Sequence, residues 1–289
     1  MPQLPSESPS LTSNQVLRRL PQAVTAVTWS LVLRWMVWVS RRWLAGWWHM
    51  VALGVRLLGL SLRPGSYRGA PGQAVLAELY LATWPGLPGF TVLAGLVSVV
   101  LIRVVLVTAL SYGLSQLALE MVVRVLVLEL IPLAAALYVA LRYSVPAGAQ
   151  LYKWRTRGVF EQLLAEGRDP LTYLIWPQAL GAMFAVVTLT LINGLLVLVV
   201  TYLMGHGLTL AAFDGYTRTV GRVFDPDFAL IFSLKTLAFA ATVGLVSTST
   251  ALRDLPQGLG RVSVELQSLL RAAAVILLVE LLSLLGNYF

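Results

Sequence analysis

Leu128-Glu129-Leu130-Ile131-Pro132-Leu133-Ala134-Ala135-Ala136-Leu137 opens the most informative part of the chain. Arg142 follows, then a polar, basic segment, then Gly167-Arg168-Asp169-Pro170 and Tyr173-Leu174-Ile175-Trp176-Pro177. An apolar helix carrying one acid and one proline runs into a short charged segment. That segment runs into a second apolar helix opened by prolines. The pattern is that of two membrane-crossing helices joined by a water-facing turn. The charged piece is the one sizeable central segment able to face water, so a soluble partner must engage there.

Composition agrees with that reading. The chain has 289 residues, 58% hydrophobic and only 12% charged. Soluble domains carry about 25% charged residues. Half that share, together with apolar runs near 20 residues, defines a polytopic membrane protein. The runs are continuous rather than alternating, so the spans are helices and not barrel strands. There is no cysteine, which excludes disulfides, thiolate metal sites and a cysteine nucleophile. The net charge of +8 reports membrane topology here and not nucleic-acid binding.

Five apolar segments are expected, at about Gly89–Leu110, Met121–Leu141, Leu171–Met204, Phe228–Leu252 and Val262–Leu285. The fold class is therefore an all-α membrane protein with five transmembrane helices. Residues 1–28 form a Pro- and Ser-rich tail expected to be disordered and cytoplasmic. Residues 29–88 hold a further helix and a Pro/Gly-rich connector, and residues 89–289 the five-span domain. On a helix, Arg34, Arg41, Arg42, His49, Arg56 and Arg63 fall on one stripe opposite Trp, Leu, Val and Met. A basic stripe against a Trp-rich face predicts an amphipathic helix lying in the headgroup layer. A tilted span with snorkelling arginines competes with this, but arginines recur through the middle of the segment. With the amino terminus inside, fifteen Lys and Arg residues lie in the inner segments and only Arg218 and Arg222 in the outer ones. That bias places residues 150–169 inside and the carboxyl terminus outside.

No catalytic constellation is present, and the chain reads as a non-enzyme without cofactor or metal. His49 and His206 are the only histidines and lie on opposite sides in this topology, His206 in a solvated loop. There is no His-Glu-x-x-His motif, no Gly-x-Ser-x-Gly elbow and no phosphate-binding Gly-x-x-x-x-Gly-Lys loop. Active transport would need energy from another subunit.

Charges inside spans are costly and so informative. Arg103, Glu129, Lys235 and Glu280 each sit about five to eight residues from the outer end of a predicted span, at similar depth by a rise of ~1.5 Å per residue. They form either a polar ring that handles a charged amphiphile or two ion pairs that fix helix register. On the inner side, Val159, Phe160, Leu163 and Leu164 have helical spacing within 150–169. That segment is either a short amphipathic helix that docks on a partner or an ordinary basic loop.

Several motifs make the chain resemble the MlaE (YrbE) family of ABC-transporter permeases, as a divergent member. Glu129-Leu130-Ile131-Pro132 is similar to the family's Glu-Leu-Gly-Pro, and Ala140-Leu141-Arg142 to its Ala-Gly-Arg. Leu163 through Gly167-Arg168-Asp169-Pro170 is similar to the Leu-x-x-x-Gly-x-Asp-Pro end of its coupling helix. Ser233-Leu234-Lys235-Thr236 and Gly258-Leu259-Gly260-Arg261 resemble its fourth- and fifth-span motifs. Departures include Leu128 where many members have arginine, Ile131 for glycine, Gly158 for an acid and Gln178 for arginine. The resemblance implies a permease dimer, homomeric or heteromeric, in a bacterial inner membrane. It implies a cytoplasmic ABC ATPase engaged through Arg157, Phe160, Glu161, Leu163 and Asp169. It also implies an Mce-domain protein on the periplasmic side and phospholipid or another lipid as cargo, with no nucleic acid. Rival readings are a non-transporting scaffold derived from such a permease and a membrane enzyme acting on lipids; the absence of an acid–base or metal cluster argues against the last.

Overall fold

The computed structural model describes residues 50–67, 69–113, 120–252 and 261–288. These are helices joined by short turns, without a strand among them. Residues from Ala52 onward form one compact unit. The helices are α1 (Met50–Ser61), α2 (Ala70–Thr83), α3 (Leu87–Ser111), α4 (Glu120–Thr156), α5 (Val159–Ala165), α6 (Leu171–His206), α7 (Phe213–Val223), α8 (Pro226–Ala251) and α9 (Arg261–Tyr288). Five segments are long and apolar enough to cross a membrane: Ala70–Ala109, Glu120–Thr156, Leu171–His206, Pro226–Val246 and Val264–Gly286. Each expected span is there.

The first of these begins earlier than expected. Ala70–Thr83 is helical and only the turn at residues 84–86 separates it from α3. Pro88 does not end the helix, because it falls in the first turn of α3, where its missing N–H has no partner to lose. Most of the predicted headgroup-layer helix, including Arg34, Arg41, Arg42 and His49, lies outside the described residues. Its described end, Met50–Ser61, is an apolar helix. Leu53 and Leu57 are buried on one side, while Val55, Arg56 and Leu58 are exposed.

Prolines shape the two helices of the opening stretch in a way the periodicity did not announce. Residues Val123–Leu130, Ala140–Ser144 and Leu171–Ile175 are wound as π-helix. In each case the residue before a proline donates its N–H five residues back: Ile131 to Leu126, Val145 to Ala140, Trp176 to Leu171. Pro132, Pro146 and Pro177 follow. A proline lacks an N–H, and its ring presses on the carbonyl four residues earlier. Widening the preceding turn relieves that clash and keeps the helix continuous.

Helix α6 is the centre of the bundle, packed on α2, α3, α4 and α8. Its inward face recurs at helical spacing through Ala179, Ala182, Ala185, Val186, Leu189, Asn193 and Val197, all essentially inaccessible. Small residues allow close approach: a Cβ added to Gly181 would stand 2.8 Å from the Glu78 carbonyl oxygen of α2. Helix α8 packs on α6, α9 and α4. Helices α3 and α9 keep most apolar side chains outward, among them Val92, Leu96, Val100, Leu277, Leu281 and Leu285. In water such surface would aggregate; in a bilayer it faces lipid or another helix.

Candidate functional site

Three of the four expected intramembrane charges meet. Lys235 of α8 hydrogen-bonds the Glu129 carboxylate from the first π segment of α4, and its Nζ lies 2.8 Å from the Glu280 carboxylate of α9. The lysine side chain is 2% exposed and each glutamate side chain 12%. Phe239, one turn along α8, places its ring 5.8 Å from the ammonium. One cation thus joins three helices that are far apart in sequence. Thr236 is buried beside Lys235 on α8.

Arg103 does not join them. The buried face of α3 runs Phe90, Ala94, Ser98, Ile102, a four-residue spacing that turns this edge toward α6. Arg103 is one residue past Ile102, about 100° around the helix, and is exposed. The expected four-charge layer is a three-charge cluster.

The charged turn between α4 and α6 is built as a helix stop followed by a helix start. Gly158, at φ 77°, opens α5 from the left-handed region. Gly167, at φ 74°, closes it: the Gly167 N–H donates to the Leu164 carbonyl at 3.0 Å and the Arg168 N–H to the Leu163 carbonyl at 2.9 Å. That double bond is a Schellman end, which suits a glycine. Asp169 then caps α6, its carboxylate accepting from the Leu171 N–H at 3.1 Å and the Thr172 hydroxyl at 3.0 Å. The Gly and Asp of the Leu-x-x-x-Gly-x-Asp-Pro pattern are thereby explained as turn chemistry.

Phe160, expected as an anchor for a partner, points the other way. It is 9% exposed and packs with Leu53, Leu57, Val75, Leu151, Ile175, Trp176 and Ala179. Its ring holds α5 onto the helices that form that cluster, as the largest apolar side chain of the short helix lying over it. Leu163 is half-buried, Leu164 is 61% exposed, and Arg157, Glu161 and Asp169 are exposed. The open surface of α5 is therefore Glu161, Gln162, Leu164 and Ala165.

Sequence reasoning missed a set of contacts at the α2–α3 turn. From α4, the Tyr138 hydroxyl donates to the Gly86 carbonyl at 3.1 Å and Arg142 to the Pro85 carbonyl at 2.8 Å. The Tyr143 hydroxyl donates to the Glu78 carboxylate at 2.5 Å. Arg142 and Tyr143 sit in the second π segment. The only signal was Tyr and Arg at a spacing of four on a helix, opposite a Pro-Gly turn. His206 also differs from expectation. It is the last residue of α6, half-buried, and stacks on Tyr202 at 5.7 Å with Tyr216 edge-on at 5.9 Å. Tyr216 ties α7 to α6 by donating its hydroxyl to the Leu198 carbonyl at 2.8 Å, and burial pushes that hydroxyl's pKa up to about 12.

Five membrane-capable helices, a shared ion cluster between three of them and a capped turn helix at one end define a multi-pass helical membrane protein. The model of the family described as Permease MlaE matches residues 75–285, and the chain belongs to that family, the membrane subunits of ABC lipid transporters. No curated protein matches the chain.

Proposed function

We propose that the chain is the permease subunit of an ATP-driven transporter that moves phospholipid between the inner and outer membranes of a bacterium. In this reading it pairs with a second permease chain, takes its energy from a cytoplasmic ABC ATPase and hands lipid to an Mce-type protein on the periplasmic side. The observation that carries the reading is the buried Lys235 shared by Glu129 and Glu280 inside a family of lipid permeases. An anionic phosphate can take the lysine from its carboxylates while acyl tails stay among apolar side chains. The arginine and lysine bias supports an inner position for α5. There its exposed Glu161 and Leu164 face a soluble ATPase. The outward apolar residues of α9 suit a second chain.

The test is purification in mild detergent, identification of the co-purifying chains and lipids, then reconstitution with ATP. Transfer of labelled phospholipid that stops with Lys235→Met, while ATP hydrolysis persists, supports the reading. A complex that assembles and hydrolyses ATP without moving lipid is the scaffold instead.

A further inference from the structure

Arg124 stands apart from the other charges of the bundle. It is half-buried, with its guanidinium carbon 4.1 Å from the centroid of the Phe228 ring of α8. Among the described residues no carboxylate lies within ion-pair distance of it; Glu120, one turn earlier, is 3.8 Å from Arg222 instead. A cation in a spanning helix near its end is stabilised when it meets an anion at the headgroup level.

The helix winding gives Arg124 a definite relation to the ion cluster. Arg124 and Glu129 are five residues apart, and both lie in the π segment Val123–Leu130. Five residues on an α-helix turn through about 140° beyond a full circle. In a helix bonded every five residues they come over one another. On α8, Phe228 and Lys235 are seven apart, two turns along one face. The two faces meet in register: Arg124 on Phe228, and one step deeper Glu129 on Lys235. With its guanidinium carbon over the Phe228 ring, Arg124 carries N–H donors in a fork that suits a bidentate acceptor.

We propose that Arg124 is a phosphate-binding station between Lys235 and the α7 end of the bundle, and that it takes the phosphodiester of a membrane lipid. The inference rests on the lipid-transport reading above and adds a second cation to the path of the headgroup. Arginine suits this role because it stays charged when partly desolvated and grips two phosphate oxygens at once.

Native mass spectrometry of the full-length chain in detergent tests it, with phosphatidylglycerol, diacylglycerol of the same tails and inorganic phosphate as probes. Arg124→Gln is expected to weaken phosphatidylglycerol binding about tenfold, Arg124→Lys to weaken it less, since lysine keeps the charge and loses the two-point grip, and neither to alter diacylglycerol binding. Unchanged phosphatidylglycerol affinity in Arg124→Gln, even with a lowered melting temperature, makes Arg124 a structural pin on Phe228 and overturns the proposal. Equal loss for diacylglycerol does the same. Displacement of phosphatidylglycerol by inorganic phosphate identifies a soluble-anion site and overturns the lipid assignment. Binding that depends on Lys235 but not on Arg124 sinks this inference alone. A wild-type chain that prefers neither lipid sinks it together with the transport reading.

Discussion

Changing Lys235 to methionine keeps the length of the side chain and deletes the charge that Glu129 and Glu280 share. The lysine side chain is 2% exposed and each glutamate 12%, so water cannot replace the lost partner. Breaking a buried ion pair by removing one member costs about 3–5 kcal/mol. Here one deletion affects two carboxylates, so the upper end of that range is expected. Glu129→Gln with Lys235→Met should recover part of the loss, because Glu280 still lacks its partner. Adding Glu280→Gln should bring stability back to within about 1 kcal/mol of the wild type, since neutral replacements of buried charge networks are commonly tolerated. The assay is thermal unfolding in mild detergent, monitored by size exclusion, across the single, double and triple variants. Transport should stay lost in all three. Two results refute the reasoning. One is a Lys235→Met protein as stable as the wild type. The other is a double variant that recovers fully, with no further gain from Glu280→Gln.

The remaining predictions concern the two ends of the bundle. The chain has no cysteine, so Arg157→Cys and Asn287→Cys can be probed singly with an impermeant thiol reagent in outer-permeabilised cells; labelling at 287 and not at 157 is expected, and the reverse overturns the topology. Phe160→Ala should lower stability by about 3 kcal/mol, as for other buried aromatic truncations, whereas Leu164→Glu, on the open side of α5, should leave the melting temperature unchanged and weaken ATPase association in a pull-down. The Tyr216 hydroxyl is neutral in the fold with its pKa raised to about 12 from 10. Its contribution is thus complete below about pH 10 and lost as pH rises toward 12. The melting temperature in mild detergent should fall further over that window in the wild type than in Tyr216→Phe.

Much of the fold was legible in the sequence. Apolar runs of membrane length set five spans, because an unpaired backbone cannot cross hydrocarbon and a helix satisfies itself locally. The turn at Gly167-Arg168-Asp169-Pro170 left helix and loop open as a sequence, although its left-handed glycine and capping aspartate act within a few residues. Depth was also legible, since helix rise is constant, and it brought Glu129, Lys235 and Glu280 to one level. Rotation was not. Whether a charge faces a neighbour or the lipid depends on which side of its helix the bundle covers, and uniformly apolar helices carry no polar stripe to say so. Arg103 therefore shared the depth of the cluster and not its company. Phe160 turned inward by the same rule: only the packing of α1, α2, α4 and α6 around it created the apolar floor that an isolated seven-residue helix does not reveal. The π turns before Pro132, Pro146 and Pro177 lie between these cases. The prolines were visible, but a kink, a break and a widened turn all answer a missing N–H, and neighbouring helices select among them. Apolar run length and helix rise set the number of membrane-length helices and the level of each charge along them; packing set which way each side chain faces, because facing is a property of pairs of helices.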